Sequence, residues 1–378
     1  MIVLFWLGIA GALYAYFGYP FLLLVWGKLS PKRLERDPSY LPRVSIVLPV
    51  HNEEANLSAR LANLQELQYP EELLEVVVVS DGSTDSSTSV VRNFQARDSR
   101  IRLIELPHRQ GKGGALNAGV EAASAEVIVF TDAAINSEPE SLRALVAPLS
   151  DPNVGCVSAE DFVEGKGGEA LYVRYEFLLR RMESRVASVV GSSGAYYAQR
   201  RDLVPSFPEG IAPDFLSVLH VVDRGFRAVS EPAARGSLRP VASSRGEFQR
   251  KVRTLLRGMA GVAAYSHLLN PLRSGRFAFI LWSHKVARWL VPLFLVICFI
   301  GNTGLMTRPM YREFMMVQIA CYGLGISCLA GLPGIRRLLI ARIAGYFVNV
   351  NAAIVVAFWR FVRGERMEVW NPSRRYEA

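Results

Sequence analysis

Cysteine and histidine are scarce, four and five among 378 residues. The cysteines, Cys156, Cys298, Cys321 and Cys328, show no CxxC or Cys/His spacing. That excludes a zinc ribbon and a disulfide framework and leaves small buried side chains as the reading. Charge is also thin, 20% of residues against 51% hydrophobic, which excludes a disordered chain. Acidic residues fall short of basic ones, 34 against 43, a formal charge of +9. Such a balance suits anionic lipid, a phosphorylated substrate or nucleic acid. The arginines gather beside apolar segments rather than in an aromatic and basic recognition module, so nucleic acid is set aside.

What the chain has instead is apolar sequence at both ends. Residues 1–26 carry no charged side chain, and at about 1.5 Å per residue they exceed the roughly 30 Å of a bilayer core. No basic segment precedes the run and no small-residue cleavage site follows it, so 1–27 is expected to be a retained anchor rather than a signal peptide. Lys28, Lys32, Arg33 and Arg36 follow at once. The positive-inside rule then places the start outside and the following residues in the cytoplasm, giving an inner-membrane, multi-pass protein.

Residues 278–302, 314–332 and 338–359 are further apolar runs within a membrane region expected over 278–362, the third interrupted by Arg342, Asn349 and Asn351. Three spans would carry the basic tail, 363–378, outside, against the rule; two spans with an interfacial third would keep it inside. Both remain open. Before them, over 246–277, Phe248, Val252, Leu255 and Leu256 interleave with Arg250, Lys251, Arg253 and Arg257. At helical spacing this gives one apolar and one cationic face, as an interfacial helix requires.

The middle alternates. VSIVLPV at 44–50, EVVVVS at 75–80, IRLIEL at 101–106 and EVIVFT at 126–131 read as strands, with helical patterns at 53–68 and 84–97. Apolar strands alternating with helices predict an α/β domain around a parallel sheet, which binds ligands beyond the carboxyl ends of its strands. The unusual residues collect there. The second strand runs into Ser80-Asp81-Gly82-Ser83-Thr84-Asp85, where Asp81 is placed to meet a ribose or base edge and Thr84 or Asp85 to cap the next helix. His108-Arg109-Gln110-Gly111-Lys112-Gly113-Gly114 opens a further helix, with glycines for close approach to phosphate and Lys112 as a mobile cation. The fourth strand ends in Thr131-Asp132-Ala133-Ala134, whose carboxylate can hold a divalent ion against a diphosphate.

In this order VSIVLPVHNEEANL, VVVVSDGSTD, RQGKGGALNAG and VFTDAA resemble the nucleotide-sugar-binding half of family 2 glycosyltransferases of GT-A fold, over residues 44 to about 260. With membrane helices on both flanks, the chain is similar to polysaccharide synthases of the cellulose, chitin and hyaluronan type. The resemblance implies a cytoplasmic GT-A (Rossmann-like) domain over 28–245 that transfers a sugar with inversion from a nucleotide-sugar, a UDP-sugar first, to a growing glycan or lipid-linked acceptor. It implies Pro49, Asn52 and Glu53 in the first nucleotide-contacting loop, Asp81 at uridine, Lys112 at the donor, and Asp132 as the first aspartate of a metal motif for Mg²⁺ or Mn²⁺. Gly194, within GSSGAYYA, matches the acceptor-lining segment, and Asp214 matches the general base. Arg250 and Arg253 stand nearest to the QxxRW motif.

Three departures from the pattern stand out: Ala134 replaces the second metal aspartate, Pro213 precedes Asp214 where the family has Glu, and the tryptophan of QxxRW is missing. Asp223-Arg224-Gly225 reads as a turn after a helix. Two alternatives follow, transfer to polyprenyl phosphate and a catalytically weak scaffold subunit of an export complex; membrane lipids and a separate exporter are the expected partners.

Overall fold

The computed structural model describes residues 1–163, 168–238 and 244–365. Arg366, Arg374 and Arg375 of the expected basic tail lie outside the described residues.

Helix α1 (Ile2–Leu29) runs from the start through a π-helical turn at Tyr14–Gly18. The catalytic-sized domain follows as β1 (Val44–Val50), α2 (Glu54–Gln65), β2 (Leu74–Asp81), α3 (Ser87–Gln95), β3 (Ile101–Leu106), α4 (Gly111–Ala122) and β4 (Val127–Thr131). These elements match the expected strands to within a residue or two, because β-branched runs pair well on a pleated surface. β1 is buried at every position, as a strand covered by helices on both faces must be.

The second half departs from an all-parallel sheet. It adds β5 (Ile135–Ser137), α5 (Ser141–Val146), β6 (Val154–Val163), α6 (Gly168–Val186), β7 (Tyr196–Arg200), α7 (Pro213–Asp223) and β8 (Arg227–Leu238). The sheet order is β3-β2-β1-β4-β7-β6-β8-β5. β1, β2, β3 and β4 are parallel, but β7 runs antiparallel to both β4 and β6, and β5 antiparallel to β8. The expected parallel sheet is thus corrected to a mixed one. β7 and its loop bring Gly194 and Ala195 against the end of β4, where the Asp132 N–H donates to the Ala195 carbonyl at 3.2 Å.

After the domain come α8 (Ser244–Ala264), α9 (Pro271–Trp289), α10 (Val291–Thr303), α11 (Pro309–Leu329) and α12 (Leu339–Val362). By length and composition, α1 and α12 can each cross a membrane, and the pair α9 and α10, bent by 55°, makes a third if taken as one span. On α8, within the segment expected to be interfacial, Val252, Leu256 and Met259 are buried against Ala353 and Ala357 of α12, and the Lys251 ammonium sits 4.6 Å over the Tyr346 ring.

A buried polar cluster ties the domain to the apolar helices. On α6, Glu183 accepts from the Tyr19 hydroxyl of α1 at 2.6 Å and meets His284 Nδ1 of α9 at 2.5 Å. Glu176 accepts from Arg288 at 2.5 Å and faces His284 Nε2 at 3.1 Å. Breaking one partner of such a cluster strands a buried charge, so it holds the two parts in one orientation. Cys156, Cys298 and Cys328 are buried as expected, whereas Cys321 is exposed on α11.

Candidate active site

Parallel register places the ends of β1, β2 and β4 on one rim, with Val50 level with Ser80. Pro49 is buried inside β1. Just beyond it the chain turns at Asn52, whose φ of +52° is the only positive value on a non-glycine residue among the described residues. Its side chain supports that turn: Asn52 Oδ1 accepts from the Thr84 N–H at 2.8 Å, and Asn52 Nδ2 donates to Thr84 Oγ1 at 3.3 Å. Asparagine tolerates this conformation because its short polar side chain bonds locally. Glu53 accepts from Asn56 at 2.9 Å. Asp85 caps both neighbouring helices, accepting from the Ser87 and Glu54 N–H groups at 3.0 and 3.1 Å.

Asp81 is 1% exposed. Its two carboxylate oxygens accept from the backbone N–H groups of Gln110 and Gly111, at 2.6 and 2.9 Å. These are orphan donors at the start of α4, where the helix dipole also favours negative charge. The carboxylate therefore fixes the glycine loop, with Gly111 itself at φ +78°, a value glycine adopts without steric cost.

The next residue, Lys112, extends to Asp132. Its Nζ donates to Asp132 Oδ1 at 2.5 Å and to the Gly194 carbonyl at 3.3 Å. Lys112, Asp132, Gly194, Tyr197 and Asp214 line one small cavity. Asp214 stands in the first turn of α7, with Pro213 as the first helical residue, where proline's missing N–H costs nothing. Burial pushes the Asp214 carboxyl above the usual carboxylate range, and the Lys112 ammonium opposes that rise.

Under the rim, Arg60 is 2% exposed and donates to Thr131 Oγ1 at 2.7 Å, to Asn63 at 2.5 Å and to Ser137 at 3.2 Å. It thereby fixes the end of β4. Nothing in the sequence singled it out, since a lone arginine on a helix reads as solvated. Asp161 on β6 is likewise new; burial pushes its carboxyl up, against a Ser193 hydrogen bond.

Arg250 and Arg253 are not among the residues lining this cavity. Arg250 pairs with Glu247 at 2.9 Å. One turn beyond Arg253, it is Arg257 that feels both Asp214 and Glu209 electrostatically. The signal was there in the helical spacing, but spacing alone does not say which member of the cationic row points inward.

For a metal, the cavity supplies one strand-end carboxylate, Asp132, since Ala134 carries no ligand atom. Among the described residues no group of three or more His, Cys, Asp or Glu is arranged so that it could hold a metal ion by itself. One carboxylate completed by substrate phosphates and water is an ordinary arrangement for Mg²⁺ and accessible to Mn²⁺, so the donor set fits.

The fold is that of GT-A glycosyltransferases. It is similar over its whole length to the mannosyltransferase PcManGT from Pyrobaculum calidifontis, solved with GDP-Man and Mn²⁺: TM-score 0.73, 25% identity, covering 96% of this chain and 100% of that one. Residues 45–203 match the glycosyl transferase family 2 model. Curated relatives include glycosyltransferase AglE of Haloferax volcanii, 30% identical over 35% of this chain and 44% of that protein. An N-acetylglucosaminyltransferase of Rhizobium meliloti is 31% identical over 44% and 41%, and a poly-beta-1,6-N-acetyl-D-glucosamine synthase of Staphylococcus epidermidis 23% identical over 50% and 45%. The match spans less than half the length of each of these relatives.

Proposed function

We propose that this protein is an inverting glycosyltransferase that moves a sugar from a nucleotide diphosphate donor onto a glycan or lipid-linked acceptor at the cytoplasmic face of the inner membrane. The observation that carries the reading is the meeting of Lys112, Asp132 and Asp214 around one cavity at the carboxyl rim of a GT-A sheet. The donor's diphosphate takes the Lys112 ammonium as its partner in place of Asp132, and Asp132 is then the residue that holds Mg²⁺ or Mn²⁺ beside those phosphates. When bound, that ion neutralises the charge of the departing diphosphate.

Asp214 accepts the proton of the acceptor hydroxyl as its oxygen attacks the anomeric carbon. The bond to the diphosphate breaks on the opposite face and the nucleotide diphosphate leaves with the electron pair. Asn52 and Glu53 shape the loop that faces the nucleoside, Pro49 supports it from inside β1, and Asp81 acts by holding the glycine loop.

The uridine reading of the donor rests on the resemblance in the motifs. GDP-mannose is the second reading, supported by the ligand of the similar full-length mannosyltransferase. Nucleotide release by the purified chain with Mg²⁺ or Mn²⁺ and a panel of UDP- and GDP-sugars tests both. Release that the Asp214→Asn variant loses is expected. Absence of binding and release with every donor would leave the scaffold alternative standing.

A further inference from the structure

Asp132 is the only carboxylate in the turn 132–134, and a metal ligand is only as well placed as the groups bonded behind it allow. The turn joins Thr131, the last residue of β4, to β5, which ends at Ser137. One face of α2 grips it at both flanks. Arg60 Nη2 donates to Thr131 Oγ1 at 2.7 Å, and Arg60 Nη1 donates to Ser137 Oγ at 3.2 Å. Asn63, three residues on and therefore on the same helix face, accepts from the Ser137 N–H and donates to the Ser137 carbonyl, both at 2.9 Å. Arg60 Nη1 also donates to Asn63 Oδ1 at 2.5 Å, which joins the two side chains into one clamp.

The clamp reaches the Asp132 backbone. Thr131 Oγ1, while accepting from Arg60, donates to the Ala195 carbonyl at 3.2 Å, and the same oxygen accepts from the Asp132 N–H at 3.2 Å. Thr131 and Asp132 both line the catalytic cavity. Arg60 is a costly residue to hold in that place. It is 2% exposed, its three acceptors Thr131, Asn63 and Ser137 are neutral, and its buried Nε has no hydrogen-bond partner among the described residues. Burial lowers its pKa to about 10, so it stays charged at neutral pH. A buried cation bonded only to neutral acceptors costs stability. What the guanidinium offers in return is a rigid fork that bridges several acceptors from one stem.

We infer that Arg60 and Asn63 are positioning residues for the metal carboxylate: by clamping both flanks of the 132–134 turn they hold Asp132 so that one carboxylate binds Mg²⁺ or Mn²⁺ without the second aspartate that Ala134 replaces. The inference rests on the transferase reading above, in which Asp132 holds the ion. In that reading Lys112 leaves Asp132 for the donor's phosphates, and the bonds from α2 are the ones that stay.

The test uses the full chain in detergent micelles. Arg60→Lys keeps the charge and loses the fork. Asn63→Ala removes the bonds to the Ser137 backbone and leaves those of Arg60 to Thr131 and Ser137, so it carries the test if Arg60→Lys does not fold. Mn²⁺ is titrated by calorimetry into each protein with saturating UDP or GDP, whichever the native chain binds, and amide exchange over 131–137 is followed without metal. Each substitution should weaken Mn²⁺ binding about 10–100-fold and speed exchange at 131–137, while the amides of β1 and β2 keep their protection. Adding Ala134→Asp to either variant should recover most of the lost affinity, which a general loss of stability would not allow. Native Mn²⁺ affinity in the variants, weakened affinity with unchanged exchange at 131–137, or no recovery with Ala134→Asp would overturn the clamp and leave the transferase standing. A native protein whose nucleotide binding ignores both Mg²⁺ and Mn²⁺ would overturn the metal role of Asp132 as well.

Discussion

Asp81→Asn separates two roles that the motif alone would merge. Replacing one carboxylate oxygen with an amide NH₂ leaves one of the Gln110 and Gly111 N–H groups facing a donor instead of an acceptor. The surviving bond weakens from a charged to a neutral one. A hydrogen bond to a charged group contributes about 1.5–3 kcal/mol, a buried N–H without a partner costs about 1–3 kcal/mol, and the lost charge at a helix start adds about 0.3–1 kcal/mol. Together the loop loses about 3–7 kcal/mol of local stability. Hydrogen exchange of the 108–114 amides should then accelerate roughly a hundredfold or more, and the donor KM should rise because Lys112 is the next residue on that loop. If Asp81 served only as a contact for the base, the donor KM would rise while the 108–114 amides kept their protection. That result would refute the positioning role derived from the 2.6 and 2.9 Å bonds.

Asp214→Asn should cut the transfer rate by about 10²–10⁴-fold with donor binding retained. As the proposed base Asp214 would work only when ionised, and burial raises its pKa, so the acid limb of the native rate profile should fall at a pH above the ordinary aspartate value of about 3.9; a limb at or below that value would argue against Asp214. Asp132→Ala should abolish the dependence of donor binding on Mg²⁺ or Mn²⁺, read by calorimetry with and without the ion, and unchanged dependence would remove it from the site. Gly119→Ala should destabilise by up to about 2 kcal/mol. A new Cβ would come within 2.4 Å of Val47 and 3.2 Å of Val79, and overpacking of about 1–3 kcal/mol outweighs the gain of about 1 kcal/mol in helix propensity. A higher melting temperature would contradict that close approach of α4 to the sheet.

Much of the donor half was legible from local pattern. β-branched runs gave β1 to β4, and polar residues after them marked the rim where Asp81, Lys112 and Asp132 gather. Asp85 as a cap and Asp223 as a turn residue were also readable; Asp223 ends α7 and binds His267 and Arg273 at 2.8 and 2.9 Å. The antiparallel β7 was not, because YYAQR is short and strand direction leaves no trace in composition. Arg60 escaped notice because two of its three partners, Thr131 and Ser137, lie more than seventy residues away.

Local pattern was enough to show where the chain is apolar, where strands alternate with helices and which carboxylates and lysine follow the strands, because periodicity and turn chemistry act over a few residues. It took the packed chain to show that Asp81 grips the glycine loop, that Arg257 comes within electrostatic reach of Asp214, and that Arg60 braces the end of β4. Each of these depends on which distant surfaces meet, and that is set by the packing of the whole molecule rather than by any one segment's pattern.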